Sequence, residues 1–215
     1  MLESPSSPSL LTSPSQERQA VVSLSVLYAF RMLGLFMVLP VLALYSDSYS
    51  GSSAMLMGLA LGAYGCSQAL LQIPFGMLSD KIGRKPVIAL GLIIFALGSV
   101  VAAQADSVYE LIVGRFLQGC GAIASAIMAL VSDLTTEENR TKAMASIGAS
   151  IGLSFSLALV LGPLLAAAGG LSLIFSTTAF LALFGLLILW RWVPSSNIKE
   201  RRHREAGAVP ELFLR

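Results

Sequence analysis

The chain has 215 residues, of which 55% are hydrophobic and only 12% are charged, and its mean hydropathy is +0.78. A soluble globular domain carries about a quarter charged residues, so this composition excludes one and predicts a membrane protein. The formal net charge of +2 comes from basic residues placed beside apolar segments. It is an effect of topology, and we find no sequence feature that indicates nucleic-acid binding.

The N-terminal residues 1–17 are rich in Ser and Pro and lack the basic start of a signal peptide, so we predict a disordered segment. Beyond it, the sequence contains six apolar windows, each close to the roughly 20 residues that a membrane-spanning helix requires. They cover residues 20–44, 54–78, 87–105, 107–131, 144–168 and 171–192. The predicted fold class is therefore an all-α, polytopic membrane protein with a six-helix bundle over residues 18–194.

The basic residues outside the middle of these windows lie on one side of the predicted membrane. They precede the first window, fall in the second-to-third and fourth-to-fifth connections, or end or follow the sixth: Arg18; Lys81, Arg84 and Lys85; Arg140 and Lys142; Arg191, Lys199, Arg201, Arg202, Arg204 and Arg215. Basic residues in short loops favour the cytoplasmic side, which predicts that both termini are cytoplasmic. Residues 195–215 are predicted to form a basic linker or tail along the inner membrane surface.

Two arginines, Arg31 and Arg115, lie well inside predicted spans. A charge at such a position is costly unless it faces water, a partner or the protein interior. Two interpretations are open for each arginine: a contact with an acid or a carbonyl that fixes helix packing, or a role in handling substrate or protons. A carboxylate in the middle of a span, the usual proton carrier of pumps, is missing from the sequence, because the acidic residues lie at helix ends.

Small residues recur at helical spacing in the second predicted helix, where Gly58, Gly62 and Gly65 share one face. Such a face lets helices approach closely in lipid, so ordinary helix packing explains it. A sliding contact between two bundles is the second interpretation, and both stay open here.

The fourth predicted helix places Arg115 and Asp133 18 positions apart, about five helical turns. Small residues, among them Gly119, Ala122 and Ala126, follow the same line. This spacing predicts one small-residue face with opposite charges at its two ends. Such a face borders either a water-filled path or a closely packed neighbour.

The stretch GMLSDKIGRKPV places Asp80 in the last turn of the second predicted helix. An acidic residue there opposes the negative end of the helix dipole and requires compensation. Gly83 can end the helix in a left-handed conformation, and Arg84 and Lys85 supply positive charge nearby. We expect Asp80 to meet the N-terminus of another helix or a cation such as Arg84 or Arg140.

Three motifs, in this order along the chain, resemble the signatures of the major facilitator superfamily of secondary transporters. The loop signature G-x-L-x-D-x-x-G-R-K is matched by Gly76, Leu78, Asp80, Gly83, Arg84 and Lys85, the helix 4 signature R-x-x-Q-G by Arg115, Gln118 and Gly119, and the helix 5 signature G-P by Gly162 and Pro163. Within the superfamily, the sequence most resembles the bacterial YajR-type branch, which is grouped with drug-efflux-like proton antiporters. The resemblance covers residues 18–194.

The resemblance implies a bundle, built as a 3+3 repeat, that works by alternating access beside a second six-helix half. It implies an inner gate that contains Gly76, Asp80, Gly83, Arg84 and Lys85, and a charge relay with Asp133, in which we also place Arg140. It implies proton coupling through Arg115, beside which we place Arg31 and Gln118 on the transport path, and an antiporter motif at Gly162 and Pro163. Superfamily members have twelve helices, so this chain supplies the first six and lacks the C-terminal half.

Two functional hypotheses follow. The first is the N-terminal half of a proton-coupled efflux transporter for small compounds in the bacterial inner membrane. The second is a transport-inactive six-helix membrane subunit with an interaction or regulatory role. An enzyme is not expected, because the sole histidine, His203, lies in the basic tail and no nucleophile with a base, and no metal-ligand cluster, appears. The expected partners are a small-molecule substrate, protons, the lipid bilayer and the missing C-terminal half, and no cofactor or metal is expected.

Overall fold

The computed structural model describes residues 13–194, apart from the side chains of residues 46 and 47, and within them it consists of helices and short connections. The helices are α1 Pro14–Val38, α2 Ala54–Ile82, α3 Arg84–Ala103, α4 Val108–Cys120, α5 Ala124–Leu134 and α6 Glu137–Trp192, with a 3-10 helix at Leu42–Ser48. The all-helical fold class is thus confirmed for the described residues. The predicted linker 195–215 and most of the predicted disordered segment lie outside them.

Within residues 13–194, five helical segments are long and apolar enough to cross a membrane: α1, α2, α3, α4 together with α5, and α6. With 56 residues, α6 would, if straight, be nearly three times as long as the thickness of the hydrocarbon core of a membrane, which is about 30 Å. Its backbone leaves helical geometry at Gly169 (φ −160°, ψ 23°) and Gly170 (φ 66°, ψ −165°). Glycine adopts the positive φ of residue 170 without the strain that a side chain would cause. We call residues 137–168 the first arm of α6 and residues 171–192 its second arm.

The chain reverses direction between the two arms, as four contacts with α1 establish. They join Ala29 to Ser154, Met37 to Gly162, Gly34 to Thr178, and Leu27 to Gly185. The residue numbers rise together in the first two pairs and change in opposite senses in the last two. The first arm therefore runs parallel to α1, and the second arm runs antiparallel to it.

Contacts between helix termini define two ends of the bundle. At one end, three hydrogen bonds join Glu17 to Thr136, Arg84 to Asp133, and Lys85 to Val193. We call this the charged end, because the described Lys and Arg residues other than Arg31 and Arg115 lie in the helix turns and connections here. At the opposite end, Ser172 Oγ donates to Ala103 O.

The first helix differs from its predicted bounds. Residues 14–17, which the sequence assigned to the disordered segment, form the first turn of α1, and Ser13 Oγ accepts the N–H of Gln16 as its cap. The helix ends at Val38 instead of continuing to residue 44. Pro40 explains the early end, because proline has no N–H with which to continue the helical hydrogen bonds.

The fourth predicted span is not one helix, because residues 121–123 are non-helical between α4 and α5. Gly121 lies against α3, where an added Cβ would overlap Gly91 O and lie 3.0 Å from Phe95 Cβ. This interruption means that Arg115 and Asp133 do not share one continuous helical face. The prediction of a single face with opposite charges at its two ends is therefore wrong.

Glycine allows α3 and α4 to touch backbone to backbone. A Cβ at Gly98 would overlap the Gln118 backbone and lie 2.9 Å from Gly114 O, and a Cβ at Gly114 would lie 2.7 Å from Ala102 N. Lipid supplies little hydrophobic force between helices, so such close approach is a main source of packing energy in a membrane. The contact also places Ser99 of α3 opposite Gln118 of α4.

We expect Gly98→Ala to lower the free energy of unfolding by about 1–3 kcal/mol, because the backbone of α4 cannot move aside as a side chain can. The thermal midpoint of the purified chain in detergent, followed by helical circular dichroism, measures the effect. Gly62→Ala is the matched control, since a Cβ at Gly62 meets nothing within 4 Å. Equal midpoints for the two variants would contradict the backbone contact.

Candidate functional site

The connection between α2 and α3 is a single residue, Gly83, with φ 108° and ψ 151°. Side chains other than that of glycine are strained at such a positive φ. The N–H of Gly83 donates to Ser79 O at 3.2 Å and closes the last turn of α2. Because the chain turns within one residue, Asp80 at the end of α2 comes next to Arg84 at the start of α3.

Arg84 is the centre of a charge network at the charged end. Its Nη1 lies 2.6 Å from Asp80 Oδ1 and donates to Ser79 Oγ at 2.6 Å, and its Nε donates to Asp133 Oδ2 at 3.3 Å. The side chains of Arg84 and Asp133 are 8% and 18% exposed, whereas that of Asp80 is 56% exposed. Arg84 thus joins the ends of α2 and α5, and half of the Asp80 surface remains open.

Lys85 connects the start of α3 with the end of α6. Its Nζ donates to Val193 O at 2.7 Å and lies 5.8 Å from the centre of the Trp190 ring. Cations and aromatic faces attract one another at this distance. Lys85 therefore holds the second arm of α6 against α3 at the charged end.

Gly76 and Arg140 are the other predicted residues at this end. Gly76 faces α5, where a Cβ would lie 3.3 Å from Ser125 Oγ. Arg140 belongs to the first turns of α6, and its Nε has no hydrogen-bond partner within residues 13–194. The pairing of Arg140 with Asp133 in a charge relay stays a prediction.

Arg115 lies inside the bundle with 1% of its surface exposed. Its Nη1 donates to Gln118 Oε1 at 2.8 Å, and Gln118 Nε2 donates to Ser99 Oγ of α3, also at 2.8 Å. Its guanidinium lies over the Tyr64 ring of α2, 4.8 Å from the ring centre. Because residues three apart share a helix face, the R-x-x-Q spacing places both polar groups on the side of α4 that faces α3 and α2.

Gly119 allows α2 to approach α4 at the level of Arg115. A Cβ at Gly119 would overlap Tyr64 O and Ser67 Oγ. At the same crossing, Ser67 Oγ donates to Phe116 O at 2.8 Å. The last position of the R-x-x-Q-G motif therefore sets the helix separation at which the Tyr64 ring covers Arg115.

Arg31 of α1 is also 1% exposed, and its Nη2 donates to Gly121 O at 2.9 Å. This carbonyl is available because the helix is interrupted there. The Arg31 guanidinium lies 5.2 Å from the centre of the Phe95 ring. The carbonyl contact that was one of the two interpretations of Arg31 is therefore present. Within the described residues, its Nε and Nη1, the Nε of Arg115 and the hydroxyl of Tyr64 have no hydrogen-bond partner.

The two arginines belong to one polar layer in the middle of the bundle. Ser99 Oγ, which receives the Gln118 bond, donates to Phe95 O at 2.7 Å, and the Phe95 ring contacts Arg31. The ion pairs found among residues 13–194 involve Arg84 and do not include either buried arginine. A pair of buried cations held by dipoles and aromatic faces can bind an anionic or electron-rich group.

Gly162 and Pro163 lie away from this layer, near the opposite end of α1. A Cβ at Gly162 would lie 2.6 Å from Met37 O, so the first arm of α6 meets α1 backbone to backbone. The first arm keeps helical dihedrals through Pro163 and leaves them at Gly169 and Gly170. The predicted site residues thus fall at three levels: the charged end, the middle layer and this crossing.

Several residues of these contacts were not singled out from the sequence, among them Ser79, Tyr64, Ser99 and Glu17. Glu17 is 7% exposed, and its Oε1 accepts the N–H of Thr136 at 3.1 Å, so it satisfies a backbone donor at the start of α6. Ser79 occupies a variable position of the loop signature. The others have no local pattern that separates them from ordinary helix residues, because each acquires its role from a partner on another helix.

Residues 24–214 match the family model described as Major Facilitator Superfamily. The chain belongs to this superfamily. It is 52% identical over 197 residues to the inner membrane transport protein YajR of Escherichia coli K12, and 46% identical over 181 residues to the uncharacterized transporter BU466 of Buchnera aphidicola. The alignments cover 92% and 84% of this chain but 43% and 46% of those proteins. The chain therefore spans less than half the length of these relatives.

More distant relatives fit the same family. A class B tetracycline resistance protein of Escherichia coli is 29% identical over 81% of this chain and 44% of its own length. The solved structure of the proton:xylose symporter XylE has a TM-score of 0.75 at 15% identity, covering 85% of this chain and 46% of that one. The human organic anion transporter MFSD10 has a TM-score of 0.70 at 22% identity, covering 86% and 49%. The structural likeness shows the fold, and the family and its apolar helices identify an integral inner-membrane protein of a transporter family.

We expect Gln118→Leu to destabilise the chain by about 1.5–3 kcal/mol, because it removes the acceptor of Arg115 and the donor to Ser99 inside the bundle. The thermal midpoint in detergent again measures the change. Gln68→Leu is the matched control, since the side-chain oxygen of Gln68 has no partner within the described residues. A larger loss for Gln68→Leu than for Gln118→Leu would count against the polar layer as described.

Proposed function

We propose that this chain is the N-terminal half of a secondary transporter that exports small compounds in exchange for protons by alternating access. The observation that carries the proposal is the middle layer, where Arg31 and Arg115 are buried and each retains at least one donor without a partner in residues 13–194. Ionisable residues inside a membrane protein support a role on a substrate or ion path. The name of the tetracycline resistance relative supports a small amphipathic compound as the substrate class.

The proposed topology has six membrane crossings with both termini in the cytoplasm. The reversal at Gly169 and Gly170 supports counting the two arms of α6 as separate crossings. The combined length of α4 and α5 supports counting these two helices as one interrupted crossing. The charged end carries the basic connections, which favour the cytoplasmic side. Because six is an even number of crossings, the N-terminal and C-terminal ends then lie on the same, cytoplasmic side of the membrane.

The surface that receives the second half is proposed to lie on α2 and the first arm of α6. A Cβ at Gly58, Gly62 or Gly65 meets nothing within 4 Å, and the same holds for Gly148 and Gly152. Only 28% of the apolar window of α2 is buried, against 44–56% in the other spans. Small, open faces allow two bundles to approach closely and to slide during alternation, which favours the second interpretation of the α2 face.

The inner gate is proposed to depend on Asp80. Arg84 contacts this carboxylate, whose side chain is 56% exposed, and an exposed acid at this position suits the positively polarised N-terminus of a helix from the second half. Contact with that helix closes the charged end, and loss of the contact opens it. Arg84 and Asp133 keep the end of α2 in place in both states, with Arg140 as a further member of the relay.

Proton coupling is proposed to involve Arg115 with Gln118, and Arg31 beside them. The described spans contain no carboxylate at this depth, so the group that takes up the proton belongs to the second half. Protonation of that group changes the charge that faces Arg115, and substrate and proton thereby compete for one cationic region. The Gly162-Pro163 crossing is proposed to hold α1 and the first arm of α6 together while this exchange occurs.

A transport-inactive six-helix subunit is the second candidate. The coding sequence after residue 215 discriminates between the two. In-frame continuation into further apolar spans supports the transporter half. A stop codon at that point supports the subunit.

In the complete transporter, we expect Arg115→Gln to reduce proton coupling about tenfold or more, because a coupling free energy of 1–3 kcal/mol is lost. Everted membrane vesicles with an imposed pH gradient and a fluorescent pH probe measure it, as the gradient dissipated on adding tetracycline or ethidium. Arg191→Gln, at an exposed basic position of the charged end, is the control. Substrate flux that is equal with and without the pH gradient would refute the coupling proposal.

In the same vesicles, we expect Asp80→Asn to slow substrate transport about fivefold or more, because the attraction to a helix N-terminus is weakened. The amount of protein in the membrane, determined by immunoblot, should stay unchanged. Glu138→Gln removes an exposed acid at the same end and should leave the rate near that of the unaltered protein. Normal transport by Asp80→Asn would show that the connection between α2 and α3 serves only as a turn and that Asp80 has no role in gating.

A further inference from the structure

A groove of about 330 Å³ lies at the charged end between the first turns of α1 and the first turns of α6. Its α1 wall contains Arg18, Val21 and Val22, and its α6 wall contains Asn139, Lys142 and Ser146. None of the motifs discussed above contributes to these walls. The groove therefore combines a basic and polar rim with an apolar side, away from the gate and from the middle layer.

The charge of this groove is positive. Arg18 and Lys142 are exposed, and neither makes a hydrogen bond or ion pair through its side chain within residues 13–194. One acid, Glu17, also borders the groove, but it is 7% exposed and its Oε1 accepts the N–H of Thr136. Because that carboxylate is occupied by the start of α6, the two cations remain available to an anion from outside the chain.

The groove lies at the depth expected for lipid headgroups. A second groove, of about 630 Å³, adjoins it on the other side of Arg18 and is bordered by Trp192. Tryptophan and basic residues concentrate where the hydrocarbon ends and the headgroups begin. The apolar residues Val21 and Val22 face the groove on the part of α1 that enters the membrane. An amphipathic ligand therefore finds cations at its headgroup level and an apolar wall below them.

We propose that this groove binds the headgroup phosphate of an anionic phospholipid. The phosphate lies between Arg18 and Lys142, the side chains of Asn139 and Ser146 provide hydrogen bonds to the headgroup, and an acyl chain follows the valines of α1. Basic pockets between membrane helices favour such headgroups. A bound lipid joins α1 to the first arm of α6 at the charged end, where Glu17 already makes the one direct bond described above.

Native mass spectrometry tests this site on the purified chain in detergent micelles, titrated with phosphatidylglycerol or with phosphatidylcholine of the same acyl chains. We expect phosphatidylglycerol to bind more tightly, and Arg18→Gln or Lys142→Gln to weaken it about fivefold each and about thirtyfold together. Arg191→Gln, a basic position of the same end outside the groove, is the control and should change binding less than about twofold. The single variants keep the test valid if the double variant does not remain monodisperse.

Three outcomes would overturn the proposal. Equal binding of the two lipids would show that the charge of the headgroup is not recognised. An equal loss with Arg191→Gln would show a general surface attraction instead of a site. Displacement of phosphatidylglycerol by millimolar glycerol 3-phosphate or inorganic phosphate would assign the groove to a free phosphate compound. Retention of phosphatidylglycerol against those competitors, with the loss confined to the groove variants, would establish the lipid site.

Discussion

The hydrogen bond from Arg31 Nη2 to Gly121 O joins two features that would each be costly alone in a membrane. A guanidinium inside the bundle needs acceptors, and a helix interruption at membrane depth leaves carbonyl groups without partners. The arginine supplies a donor to the free carbonyl group, and the carbonyl group supplies an acceptor to the arginine. The interruption is therefore stabilised by an arginine from another helix, and the interruption in turn provides an acceptor for that arginine.

The same constraint governs Arg115, which has Gln118 and the Tyr64 ring as partners. Their distances depend on how closely α2, α3 and α4 approach, and that approach depends on Gly98 and Gly119. Packing and charge stabilisation are thus one requirement in this part of the bundle. A Cβ at either glycine would push the helices apart and lengthen the polar contacts, which lose strength steeply with distance and misalignment.

The features that could be predicted from the sequence depend on local patterns. Apolar windows predicted the membrane helices, and Gly83 predicted the turn that brings Asp80 to the start of the next helix. The interruption at residues 121–123 could not be predicted, because its sequence is small and apolar and its partner, Arg31, lies 90 residues earlier. Glu17 was missed for a related reason. Its Ser- and Pro-rich surroundings resemble a disordered segment, whereas its partner Thr136 is 119 residues away.

The contacts of Arg84 bear on whether the proposed inner gate can be reversible. Two carboxylates, those of Asp80 and Asp133, contact its guanidinium. Asp80 is the more exposed of the two, and its place at the negative end of the α2 dipole favours a positive partner. Contacts between exposed charges are worth only about 0–1 kcal/mol, whereas buried pairs are costly to break. In the proposed gate, the half-exposed carboxylate of Asp80 therefore forms and releases such a contact, while the bonds of Arg84 to Ser79 and Asp133 keep α2 attached to α5.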